Sequence, residues 1–95
     1  MLSLDALPRR SERTAFRVVG GEGLLMVIDR RELHRLNAVG ARVFELCDGA
    51  NSVAAIVSAI VREYAVDRDT ARADVERFVT ELDRAGALQL SAEAE

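Results

Sequence analysis

The stretch 32-ELHRLNAVGARVFELCDG-49 decides how this chain folds. Glu32-Leu33-His34-Arg35-Leu36 is a short alternating run and reads as a strand. It stops at Asn37, whose side chain suits the N-cap of a helix, where it accepts from a free first-turn amide. From there the period changes from two to 3.6. Val39, Val43, Leu46 and Cys47 fall at i, i+4, i+7 and i+8, on one helical face. Asp48-Gly49 closes the helix, with Gly49 suited to a left-handed position just past its end. The single His and the single Cys of the chain both lie in this stretch.

Upstream, the pattern is that of strands. Thr14–Val19 reads as a first strand. Gly20-Gly21-Glu22-Gly23 follows, and glycines there supply the positive φ values of a hairpin turn. Leu24–Ile28 is a continuous apolar run of strand length and reads as a central, well-buried strand. Asp29–Arg31 is a polar turn. Glu32–Leu36 is then the third strand, short and more polar, as an edge strand is. Residues 1–12 read as a loose, flexible N-terminal arm with the only proline at position 8. The folded domain is expected over residues 13–90.

Downstream, the pattern is helical. Ser52 caps a second helix, Val53–Tyr64, apolar nearly all round and therefore covered on most sides. Asp67 or Asp69 opens a third, Arg68–Arg84, with a stripe of Ala71, Val75, Phe78, Val79 and Leu82. Gly86 ends it. Ala87–Leu90 reads as a short extended segment and residues 91–95 as a frayed tail. Three antiparallel strands with three helices packed on one side make an α+β domain. The helical half resembles the core of a winged helix-turn-helix.

Composition narrows the function. The chain has 95 residues and a net charge of −3, with 13 basic residues, all arginine. Residues 1–37 carry seven Arg against five acids, whereas residues 38–95 carry six against eleven. That balance argues against nucleic-acid binding, which needs a dominant basic face. The longest apolar run, Val53–Val61 with Ser58 inside it, is too short to span a bilayer, so no membrane association is expected. One Cys allows no internal disulfide, and the N-terminus lacks the layout of a secretory signal. Both fit a cytoplasmic protein.

No constellation for catalysis emerges. A Cys–His nucleophile pair needs the two side chains together with an orienting group. Cys47 instead belongs to an apolar stripe, where a free thiol behaves as a small hydrophobe. One His and one Cys are too few for a metal site. The glycine cluster lacks the Lys-Ser/Thr and helix of a phosphate loop. The acids and arginines of the third helix are a solvated face with i,i+4 pairing. Neither a cofactor nor a metal is expected, and the chain is not expected to be an enzyme. What remains is the free edge of the third strand, which is either guarded by charge or used for β-augmentation by an extended peptide.

Several marks together resemble the PqqD-like family, the recognition elements for ribosomally made, post-translationally modified peptides. They are Leu36-Asn37 at the strand–helix junction, "FELCDG" closing the first helix, "IV…EY" in the second, Asp74-Val75 with Phe78 in the third, and Leu82…Gly86…Leu88 at its end. The resemblance covers roughly residues 16–88. It implies a winged-helix-like peptide chaperone that binds the leader segment of a precursor peptide. The leader adds to the third-strand edge and lies against the third helix, and the domain presents it to a modifying enzyme, often a radical SAM enzyme. Carried to this chain, the peptide-binding residues are Leu33, His34, Arg35 and Leu36 on the strand and Asp74, Val75, Arg77 and Phe78 on the helix. Leu33 and Leu36 would line one side of a groove, and Val75 and Phe78 would form its floor. The family serves several pathways, pyrroloquinoline quinone among them, and the residues do not single one out. Two rival readings are a winged-helix DNA-binding regulator and a homodimer or scaffold module pairing through the same edge. The first needs a basic recognition helix, whereas the third helix here carries five acids against four arginines.

Overall fold

In a computed structural model, residues 2–91 are described. The elements in order are β1 (Leu7–Arg10), β2 (Thr14–Val19), β3 (Glu22–Val27), a 3-10 turn (Ile28–Arg30), β4 (Glu32–Leu36), α1 (Ala38–Leu46), α2 (Val53–Tyr64), α3 (Arg68–Arg84) and β5 (Leu88–Ser91). β2, β3 and β4 form an antiparallel sheet in that order, and β1 pairs with β5 in a second, two-stranded one. The three-stranded sheet followed by three helices is the α+β arrangement expected. The frayed tail falls mostly on residues 92–95, which lie outside the described residues.

The β2–β3 hairpin turns on two glycines only. Gly20 and Gly21 have φ of 59° and 81°, and the register closes at Val19 opposite Glu22. Two consecutive positive φ values match the twist of the flanking strands. Glu22 and Gly23, expected in the turn, therefore belong to β3. Gly23 is needed for packing: a Cβ there would lie 2.8 Å from the Phe16 ring and 3.0 Å from the Ala41 Cβ. Its bare backbone lets α1 approach the sheet. At the other end β3 stops at Val27, because Ile28 enters the 3-10 turn, which Arg31 ends in a left-handed conformation (φ 54°).

Each helix starts on a side-chain cap that satisfies an orphan amide. Asn37 accepts from the Gly40 amide at 2.8 Å, Ser52 from Ala55 at 3.1 Å, and Asp67 from Thr70 at 3.1 Å. Asp67 is thus the cap of α3, and Asp69 sits in its first turn. α2 ends on Ala65, which takes the left-handed conformation (φ 53°) without being glycine. Gly49 also has positive φ (83°), but two residues beyond the Cys47 cap of α1, in a loop that clasps β1.

That clasp corrects the reading of residues 1–12 as loose. Within the arm, Leu7–Arg10 is a strand in register with Leu88–Ser91. Gly49 donates to the Pro8 carbonyl (2.9 Å), Arg10 N–H to Cys47 (3.0 Å), Val53 to Ala6 (2.9 Å) and Ala54 to Leu4 (3.0 Å). The Arg10 guanidinium donates to the Phe44 and Glu45 carbonyls at 3.1 and 2.6 Å, a favourable place for a cation at the end of α1. Pro8 has no N–H to donate, and its carbonyl is used by the Gly49 amide.

The core is aliphatic. Leu25, Val27, Leu36, Val43, Phe44, Ile56, Val57, Ile60, Val75, Val79 and Leu82 form one buried cluster, and none of its members is polar. Phe16 packs on Phe44 with ring centroids 4.8 Å apart and planes tilted by 55°, a favoured aromatic arrangement. The three helices cover only one face of the β2–β3–β4 sheet.

Candidate functional site

β4 pairs with β3 from Gly23–Leu36 to Val27–Glu32. Among the described residues no strand lies on its other side. In an antiparallel strand the backbone groups alternate in direction, so an edge strand keeps every second N–H and C=O unpaired and aimed outward. β4 therefore offers a five-residue ladder to an incoming strand.

The same alternation divides the four strand residues of the expected site. Leu36 is buried in the core and His34 is half-buried, both on the helix-covered face. Leu33, 61% exposed, and Arg35 point to the opposite face. Leu33 and Leu36 thus do not line one side of a groove, because their spacing of three places them on opposite faces of a pleated strand. His34 Nε2 lies 3.2 Å from Glu32 Oε1, two residues back on the same face.

On α3, the expected residues separate by depth. Val75 is fully buried and belongs to the core, so it presents no groove floor in this state. Phe78 is 8% exposed and reaches across to α1. A Cβ at Gly40 would lie only 2.6 Å from its ring, so glycine at that position makes room for it. Arg77 sits over the Phe78 ring with its guanidinium carbon 5.0 Å from the centroid, a cation–π distance. Its Nη1 is 3.5 Å from Asp74 Oδ1. Phe78 thus meets the helix turn that Asn37 caps directly after β4, so the first turn of α1 links the strand edge to α3.

The start of α1 is held by two contacts with the end of α2. Tyr64 donates its hydroxyl to the Ala38 carbonyl at 3.3 Å. Arg42 makes a forked contact with Glu63 at 2.8 and 3.0 Å, which holds the Glu63 carboxyl below its ordinary range. Gly40, Tyr64 and Arg42 are absent from the sequence-derived site. Gly40 carried a signal, since glycine inside a helix costs about 1 kcal/mol relative to alanine and so calls for a compensating contact.

Cys47 is fully buried, and burial pushes its thiol up to about 12, so it is not a nucleophile at neutral pH. Among the described residues no group of three or more His, Cys, Asp or Glu is placed to hold a metal. None of the described helices is long and apolar enough to cross a membrane.

The outer face of the three-stranded sheet was missed by sequence reading. Leu24 and Met26 of β3 are only half-buried. With Ala15, Phe16, Arg17 and Leu33 they line a shallow depression of about 360 Å³. The continuous apolar run of β3 suggested a strand buried on both faces. With helices on one side only, half of that run is left facing outward.

Two solved structures share this architecture. One is "TbiB1 in Complex with the TbiA(beta) Leader Peptide", 28% identical, with a TM-score of 0.76 over 85% of this chain and 94% of that one. The other is "Lasso peptide synthetase B1 complexed with the leader peptide", 22% identical, with a TM-score of 0.75 over 87% and 98%. No curated protein sequence matches the chain. The family model for Coenzyme PQQ synthesis protein D (PqqD) matches residues 22–88, from the start of β3 to the start of β5, and the chain belongs to that family.

Proposed function

We propose that this protein is a non-catalytic recognition element that binds the leader of a ribosomally made precursor peptide as an added strand on β4. The unpaired β4 edge, joined through the capped turn of α1 to Phe78 and Arg77 of α3, carries this reading. β-augmentation takes its affinity from main-chain hydrogen bonds and its selectivity from the side chains beside the added strand. The β4 backbone from Leu33 to Leu36 supplies the first. His34, Asp74, Arg77 and the exposed rim of Phe78 supply the second. The likeness to proteins solved with leader peptides supports the same assignment. A lasso-type leader is the first candidate, ahead of a pyrroloquinoline quinone precursor, and a modifying enzyme, radical SAM or otherwise, is the second partner.

The test is a titration of isotope-labelled protein with the leader of a short reading frame encoded beside this chain. Amide shifts should concentrate on residues 32–37 and on α3. Shifts confined to β1 and β5 would rule out the mode, and salt-sensitive binding to duplex DNA in its place would rule out the function.

A further inference from the structure

We infer that the outer face of the β2–β3–β4 sheet is a second docking surface, for an acidic segment of a partner protein anchored by one apolar or aromatic side chain. This inference goes beyond leader binding and concerns a different surface.

Cross-strand register builds the patch in two rows. Arg17, Leu24 and Arg35 stand side by side, and so do Ala15, Met26 and Leu33. The second row, Leu24, Phe16 and Arg17 line the depression, and Arg35 stands next to Leu24 on the neighbouring strand. Neither arginine has an ion-pair or hydrogen-bond partner among the described residues, in contrast to Arg13, which holds Asp29 at 2.8 Å. Among the described residues Glu22, at the hairpin end, is the only acid on this face. A protein of net charge −3 thus carries a locally basic, apolar wing. Arg and Met are enriched at protein–protein interfaces, and an exposed apolar patch edged by charge is the usual mark of one.

Shape and charge select the occupant. A depression accepts a projecting side chain, and arginines without acidic partners beside it favour carboxylates. A second copy would set the same patch against itself, opposing four arginines with two glutamates. An acidic segment instead brings carboxylates to Arg17 and Arg35 while its anchor fills the space over Leu24 and Met26. The surface is continuous with the proposed leader edge, because Leu33 and Arg35 belong to β4. A partner seated here would lie beside the bound peptide.

The probes are a short peptide with one Trp between glutamates, its lysine counterpart, and phosphatidylglycerol vesicles. With the glutamate peptide, amide shifts should appear at Ala15, Arg17, Leu24, Met26 and Leu33, weaken with salt, and leave α3 unmoved. Arg17→Glu and Met26→Asp should each weaken binding about tenfold or more, as expected for loss of a central interface contact, with leader affinity and circular dichroism unchanged. Equal binding of the lysine peptide, binding of vesicles alone, or concentration-dependent self-association abolished by Arg17→Glu would each overturn the inference. Leader titration of the same variants separates the two surfaces, since a failed leader site leaves these shifts in place.

Discussion

The Phe78 ring occupies the space that a side chain at Gly40 would need, 2.6 Å from where its Cβ would stand. The packing of α3 against the strand–helix junction depends on that vacancy. Gly40→Ala gains helix propensity of about 1 kcal/mol but forces the ring aside, at a cost of about 1–3 kcal/mol for overpacking. Destabilisation should win, because the ring is enclosed and has little room to retreat. In urea denaturation Gly40→Ala should unfold earlier than the parent. Combining it with Phe78→Leu should cost less than the two single changes together, the coupling expected of touching residues. Strict additivity would show that the ring moves freely.

Ala65 closes α2 in the left-handed region, where a Cβ costs about 1–2 kcal/mol. Ala65→Gly should therefore stabilise the protein by about 1 kcal/mol and raise the Tm by several degrees. A Tm that falls would mean that the freedom glycine adds to the unfolded chain outweighs the relief.

Asp67 accepts from both the amide and the hydroxyl of Thr70, at 3.1 and 2.7 Å, and these bonds hold its carboxyl below the ordinary value. Its folded pKa is lower than its unfolded one, so the charged cap stabilises fully above the unfolded value of about 3.9. That contribution disappears as pH falls through the folded value. Asp67→Asn keeps a capping side chain but removes the titration. The parent's stability advantage over the variant at neutral pH should shrink as the solution is acidified below that range. A constant difference across the pH series would assign the effect to packing.

Burial of Cys47 leaves its thiol protonated well above neutrality. A thiol reagent should react with the native protein at the rate of global or local opening, and rapidly once urea unfolds it. Cys47→Ala should leave leader binding intact. Fast labelling of the native protein would contradict the buried position.

Removal of residues 1–10 should be costly although sequence reading treats them as an arm. At least four backbone hydrogen bonds and the Arg10 contacts to the end of α1 would be lost. At about 1 kcal/mol each, that is a large share of the ~5–15 kcal/mol stabilising a domain. The truncated chain should show a much lower urea midpoint. An unchanged midpoint would assign β1 no structural role.

The elements legible in the sequence were those whose residues carry their own signal. Asn37, Ser52 and the α3 stripe announced caps and faces through local chemistry and period. β1 did not, because its pairing with β5 joins residues some eighty positions apart and no periodicity records that. Gly23 looked like part of the turn because glycine serves turns and close packing alike, and only the approach of Ala41 and Phe16 tells them apart. At the site, the β4 edge was readable from its polarity and the abrupt cap. The division of Leu33 from Leu36 followed from the pleat and was missed by treating both as one apolar wall. Val75 looked available because a helical stripe does not reveal its depth.

The brevity of β4 fixes how a guest chain would be paid out. Five residues at about 3.3 Å each give a grip roughly 17 Å long, and the turn capped by Asn37 blocks extension past Leu36. The sheet is antiparallel, and an antiparallel guest gains the more stable pairing. Such a guest enters beside α1 and leaves beside Glu32, so everything C-terminal to its grip trails from the Ile28–Arg30 end of the molecule. A flexible tether there reaches about 5–6 Å times the square root of its residue number. Reach from Glu32, rather than affinity for the leader, would then set which position of the trailing peptide a docked enzyme meets first.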